Sequence, residues 1–295
     1  GHDIHTSNLL TVAEILNRTK DQWKGKVKLV FQPAEENGGG GREMIKAGLM
    51  DEIPDACFAL HVENGIPGKI VVGSRYLTAY SDSYKITVHG KAAHSSTPEE
   101  GVDAVYIAAS IVTALHGIIS RNISPMDRAT LNVGMIHGGT APNIIADEVT
   151  LGVMLRNLSK ESREAMMKKI ETISNGIAES MGGSCDLAFR AGYAAVDNDE
   201  KFSDFVAATF RKYENIIHED LGDGKPEDWL ITGEHPLLGA EDFGFYSQKA
   251  PSCMIWVGVG GNSPKHSPGF CIDERYIKLC TRAMAMTALE YLTKE

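Results

Sequence analysis

Between Tyr80 and Phe189 the apolar residues stop running in blocks and begin to alternate with polar ones, which fixes the kind of sheet this stretch can form. Tyr84, Ile86 and Val88 alternate, as do Leu131, Val133 and Met135, and then Val149, Leu151, Val153 and Leu155. A period of two with a single apolar face marks strands of a sheet that buries one side only. Val105, Ala108, Val112, Leu115 and Ile119 recur at helical spacing between the first and second of these strands. Met166, Ile170, Ile173, Ile177 and Met181 do so after the third, ahead of a last strand over about Cys185–Phe189. Strand–helix–strand–strand–helix–strand is the split βαβ, or ferredoxin-like, unit. Two helices cover one face of its sheet, and the other face is open to a partner.

On either side the patterning differs. Val27–Phe31, a short β-branched-rich run ended by Pro33, is expected as a strand, and the apolar runs Ala56–Leu60 and Ser252–Val257 as buried strands. Helices are expected over Leu9–Leu16 with Thr6 or Ser7 as cap, over Met44–Ala47 up to Gly48, near Phe202–Tyr213, and from Asp273 to Leu292. Strands separated by helices imply a mostly parallel sheet. The expected fold class is α/β: one domain formed by residues 1–78 and 192–295, interrupted by a ferredoxin-like domain at 79–191.

A net charge of −10 with no Lys/Arg cluster argues against a nucleic-acid partner. No run approaches the roughly 18 apolar residues of a membrane span. Cys57, Cys185, Cys253, Cys271 and Cys280 are scattered, odd in number and form no CxxC pair, which fits free thiols in a reducing, cytoplasmic setting.

The residues that could carry chemistry lie where the expected elements end. Glu35 and Glu36 follow one strand, His61 ends the next, His266 follows a third, and His2 stands in the turn before the first helix. Each has an ordinary reading alone: a solvated turn for the acidic pair, a rim or loop residue for each histidine. In open α/β sheets, however, ligands collect outside the carboxyl ends of strands, so these loci are expected to converge on one rim. Imidazoles with a carboxylate pair are what a dinuclear hydrolytic metal centre needs. Gly38–Gly41 is not a phosphate loop, because no Lys-Ser/Thr follows it and the GxGxxG spacing is absent.

The stretches GHDIH, FQPAEE, ALH, GKAAHSSTPEEGVDA, GGTAPNIIAD, GAEDF and KHSPGFCIDE occur in this order. Together the motifs resemble those of the N-acyl-amino-acid amidohydrolase branch of the aminoacylase/carboxypeptidase metallopeptidases. Hippurate hydrolases, indole-acetyl-amino-acid hydrolases and N-acetyl-diaminopimelate deacetylases belong to that branch. The resemblance spans essentially the whole chain. It implies a zinc-peptidase-like catalytic domain whose inserted domain acts as a lid and homodimer surface. It implies two divalent cations, Zn²⁺ or Mn²⁺ with Co²⁺ or Ni²⁺ as further fits, held by His2, Glu36, His61 and His266. Glu35 would be the general base, and Asp3 and His5 would orient the neighbouring imidazoles. His94 would reach the oxyanion, while Asn143 and Arg156 would hold the substrate carboxylate. An ion pair for Arg156 and a turn for Asn143 are the competing readings. His89 and His137 match no motif, and Glu241-Asp242 is implied to be a structural element beneath the site.

The relatives read Cys-Gly-His-Asp where this chain begins Gly-His-Asp, and they carry an earlier strand–helix–strand segment. The expectation is therefore an N-terminally truncated chain, with one metal bound weakly and activity impaired relative to a full-length protein. The expected activity is hydrolysis of N-acyl amino acids or small peptide-like amides. A catalytically silent scaffold that binds a ligand or dimerises stands as the alternative, and a dipeptidase or aminopeptidase as a third.

Overall fold

The structure, a computed structural model, describes residues 1–261, 263 and 265–293. The chain divides into two compact units, one comprising Gly1–Leu77, Val196–Pro236 and Asp242–Glu295, the other Thr78–Ala195 and Leu237–Glu241.

The first unit is built on a mixed four-stranded sheet. Strands β1 (Cys57–Glu63), β2 (Ile70–Gly73), β11 (Leu230–Gly233) and β12 (Ser252–Gly258) lie in the order β1-β12-β2-β11. β1 runs parallel to β12 and β11 parallel to β2, while β12 and β2 are antiparallel. Every residue of β12 is buried, as its unbroken apolar run requires. A two-stranded ribbon of β3 (Arg75–Tyr76) and β10 (Asp197–Asn198) completes the strands of this unit.

Its helices are α1 (His2–Arg18), α2 (Glu35–Gly38), α3 (Gly40–Lys46), α6 (Glu200–Lys212), α7 (Glu214–Ile217), α8 (Gly244–Ser247) and α9 (Ile277–Leu292). Asp199 caps α6 by accepting the Phe202 N–H. Phe202, Val206 and Phe210 of α6 join Leu279, Cys280 and Ala283 of α9 over Ile255 and Val257 of the sheet.

Two expectations are corrected here. Helix α1 begins at His2, so His2 is its first residue and does not precede it, and neither Thr6 nor Ser7 is a cap. Their hydroxyls donate back to the carbonyls of His2 and Ile4, the alternative open to such side chains inside a helix. Ile4, Asn8, Val12 and Leu16, spaced by four, form the buried stripe. Second, Val27–Phe31 joins no strand ladder among the described residues, and Val27, Leu29 and Phe31 stay 38%, 36% and 44% exposed. A strand needs a hydrogen-bonded neighbour, and among the described residues β1 finds its ladder partner in β12 alone. Propensity alone does not supply one.

The second unit comprises β4 (Tyr80–His89), β5 (Ala93–His94), α4 (Ala104–Asn122), β6 (Ala129–Gly138), β7 (Ile144–Ile145), β8 (Glu148–Asn157), α5 (Lys160–Ser180) and β9 (Ser184–Tyr193). Its main sheet is antiparallel throughout, in the order β6-β8-β4-β9, and β5 pairs with β7 alongside. Asp103 caps α4 and Ser159 caps α5. Tyr84, Ile86, Leu151 and Leu155 of the sheet meet Ile107, Ile111, Leu115, Met166 and Ile170 of the two helices. By length and composition α4 could cross a bilayer, although Ser, Thr, His and Gly interrupt its apolar residues; its apolar stripe is buried in this core.

One ion pair is set into that unit. Arg163 of α5 donates from Nε and Nη2 to the two oxygens of Asp82, at 2.6 and 3.0 Å. The Asp82 side chain is only 1% exposed, and the guanidinium lies over the rings of Tyr80 and Phe189. Arg163→Met strands a buried carboxylate and should cost about 3–5 kcal/mol, whereas adding Asp82→Leu should recover much of it. Urea unfolding of the two variants against the parent checks this.

Candidate metal centre

The centre begins at the amino end of α1 and the carboxyl end of β1. His2 and His5, three apart, share one face of the helix. His5 Nε2 accepts the backbone N–H of Val62 at 3.0 Å, and the Val62 carbonyl accepts from His61 Nδ1 at 2.7 Å. These partners assign the tautomers: His61 carries its proton on Nδ1 and leaves the Nε2 lone pair free to bind a metal, while His5 has its Nε2 lone pair engaged. Nitrogens of His2, His5 and His61 lie within 4.8 Å of one another. Burial is the main cause that lowers His5 to about 3 and His61 to about 4, so both rings are neutral at ordinary pH.

The carboxylates arrive on α2. Ala34, in the left-handed region at φ +57°, turns the chain out of its extended run so that Glu35 and Glu36 open the short helix. His2 Nε2 stands 4.0 Å from Glu35 and 3.8 Å from Glu36, and His266 Nε2 is 3.1 Å from Glu36 Oε1. Glu35 is raised to about 7 by burial first, then by the negative neighbours Glu36 and Asp242. A carboxyl that titrates near neutrality is suited to take and return a proton.

His266 is held by a loop that β1 grips. Lys265 pairs with Glu63 at the end of β1, and the Asn64 side chain donates to the Ser263 carbonyl at 2.6 Å. The Lys265 ammonium also lies 5.5 Å from the centroid of the Trp256 ring, and that ring meets His61 edge-on at 5.3 Å. His266 itself is at φ +60°.

The structure thus brings His2, Glu35, Glu36, His61 and His266 into one cluster of the first unit. His5 supports it from behind. Asp3 does not: its side chain is 88% exposed and has no hydrogen bond to an imidazole among the described residues, because it points off the helix into solvent. Trp256, Lys265, Glu63 and Asn64 escaped the sequence reading. Trp256 looks like one more residue of a buried strand, and only the neighbourhood of Lys265 to His266 hinted at its place.

His94, Asn143 and Arg156 belong to the second unit. His94 lies on β5, where its Nδ1 accepts the Ser96 backbone N–H at 3.2 Å, which puts the ring proton on Nε2. Asn143 sits in the exposed turn before β7, its carbonyl accepting from Ser95 N. Arg156, on β8, is half-buried with Nη1 lacking a hydrogen-bond partner, and it forms no ion pair among the described residues. His89, by contrast, is tied to Asp186 on the neighbouring strand at 2.9 Å.

Against known proteins, the family described as peptidase family M20/M25/M40 matches residues 1–290. A thermostable carboxypeptidase of Saccharolobus solfataricus is 32% identical over 303 residues, covering 100% of this chain and 73% of that protein. An N-acetyldiaminopimelate deacetylase of Streptococcus uberis is 33% identical over 282 residues, covering 94% and 71%. The crystal structure of the Bacillus subtilis YXEP protein, described as a dinuclear metal-binding peptidase, superposes with a TM-score of 0.82 at 26% identity, covering 99% of this chain and 72% of that one.

Proposed function

We propose that this chain, which belongs to peptidase family M20/M25/M40, hydrolyses the amide of N-acyl amino acids with the aid of two divalent cations. The meeting of His2, His61 and His266 with Glu36, beside a carboxyl poised near neutrality, carries the reading. The deacetylase and the dinuclear peptidase among its relatives support it.

Three imidazoles and a carboxylate suit Zn²⁺ or Mn²⁺, with Co²⁺ and Ni²⁺ within range of the same donors. His2, Glu36, His61 and His266 would hold the ions, with His61 offering the Nε2 that its tautomer leaves available. Such ions, when bound, polarise the scissile carbonyl and acidify water.

The chain's own residues do the rest. Glu35 takes a proton from the attacking water and passes it to the amine nitrogen as the C–N bond breaks. His94, protonated on Nε2, donates to the oxyanion. Arg156, whose half-buried guanidinium keeps one nitrogen without a partner, receives the α-carboxylate together with Asn143. The outer edge of β6, which among the described residues pairs only with β8 and exposes Met135 and Ile136, supports a homodimer formed through the second unit.

A panel of N-acetyl- and N-benzoyl-amino acids with each cation in turn tests the activity. Absence of turnover with every cation would favour the silent scaffold. Glu35→Gln should lower kcat by about 10²–10⁴-fold with metal content nearly unchanged. Glu36→Ala and His61→Ala should lose metal, read by elemental analysis after dialysis. Arg156→Met should raise KM about ten- to hundredfold for substrates with a free α-carboxylate and leave their carboxamide analogues unaffected, read from steady-state kinetics on the matched pair.

A further inference from the structure

Residues 32 and 41 bracket the turn that carries Glu35 and Glu36, and both are tied to the same buried carboxylate. The Gln32 amide donates to the two oxygens of Asp242 at 2.8 and 2.7 Å, and the Gly41 backbone N–H donates to Oδ2 at 2.9 Å. Tyr246, on α8, closes the arrangement by donating its hydroxyl to Gln32 Oε1 at 2.9 Å. Asp242 is 1% exposed and forms no ion pair among the described residues, and its carboxylate lies within 4.8 Å of those of Glu35 and Glu241.

Between the two tied positions the backbone doubles back tightly. Ala34 and Gly39 are both left-handed, and a Cβ on Gly40 would sit 1.7 Å from the Pro33 carbonyl oxygen. A Cβ on Gly41 would come within 2.7 Å of Gln32 Oε1. The one-turn helix α2 has no side-chain cap of its own. Both ends of the turn are tied to Asp242.

We propose that Gln32, Asp242 and Tyr246 act as a clasp that positions the Glu35–Glu36 turn against the histidines. None of the three is a catalytic residue; they act through the turn. The functional part of this inference rests on the metallohydrolase reading, whereas the clasp itself can be tested without it.

Hydrogen complementarity gives the test. Asp242→Asn sets an amide against the Gln32 amide, donor to donor. Gln32→Glu sets two carboxylates together. The double variant Gln32→Glu/Asp242→Asn reverses the direction of the bond: the new amide donates to the new carboxylate and its oxygen still accepts from Gly41. In metal-free protein, amide hydrogen exchange across residues 33–41 should rise in each single variant and return towards the parent in the double. In cobalt-loaded protein, the visible ligand-field spectrum should shift in the singles and recover in the double. Where a substrate is turned over, kcat should fall about a hundredfold in the singles, with KM little changed, and recover in the double. Tyr246→Phe, which removes a single hydrogen bond, should move exchange the same way by less and serves if a buried-charge variant fails to fold. Unchanged exchange in the single variants or in Tyr246→Phe, or a double variant no better than either single, would overturn the clasp. A parent that hydrolyses nothing with any cation would remove the metallohydrolase reading and leave the exchange result to decide the clasp.

Discussion

The backbone of a single residue, Val62, sets the directions of two imidazoles. Its N–H goes to His5 and its carbonyl accepts from His61, so both polar groups are satisfied by side chains of the centre. Val62 can do this because β1 is locked in parallel register with β12, His61 against Trp256 and Val62 against Val257. A slip of one residue would send His61 to the opposite face and turn the Val62 groups away from α1. The site geometry therefore rests on pairing with β12, an apolar strand buried throughout.

The electrostatics complement this arrangement. Glu35, Glu36 and Asp242 lie close enough to raise the Glu35 carboxyl, and burial keeps His5 and His61 neutral, so the cluster is rich in lone pairs. Desolvated negative charge is costly, and a bound cation would offset that cost while keeping every side chain where it stands. Lys265, the nearest lysine in the loop, is drawn to Glu63 and the Trp256 face and so does not fill the role itself.

Much of this was legible in the linear chain, and the omissions follow a physical rule. The alternation of Tyr84, Ile86 and Val88 against helices with four-residue spacing announced the sheet of the second unit, because a half-buried strand cannot hide its period. Glu35, Glu36 and His61 were legible as donors because they stand where buried runs end. What local pattern cannot carry is contact at long range. The Lys265–Glu63 pair spans 202 positions and the Gln32–Asp242 bond spans 210, and no motif around either end names the other. Local cues also misled: Thr6 and Ser7 look like caps and are interior residues, and Val27–Phe31 looks like a strand and lacks the neighbour that would make it one.

That last segment has a practical side. A short, partly exposed apolar run that joins no ladder among the described residues is the kind of segment on which strands of other molecules can stack, and at high concentration such runs nucleate aggregates. Here Lys26 and Lys28 interleave the apolar positions, reaching to Glu52 and to the Leu49 carbonyl, and act as gatekeepers against stacking. Colloidal behaviour should therefore follow ionic strength: salt that screens those ammonium groups takes away the repulsion that keeps neighbouring ribbons apart.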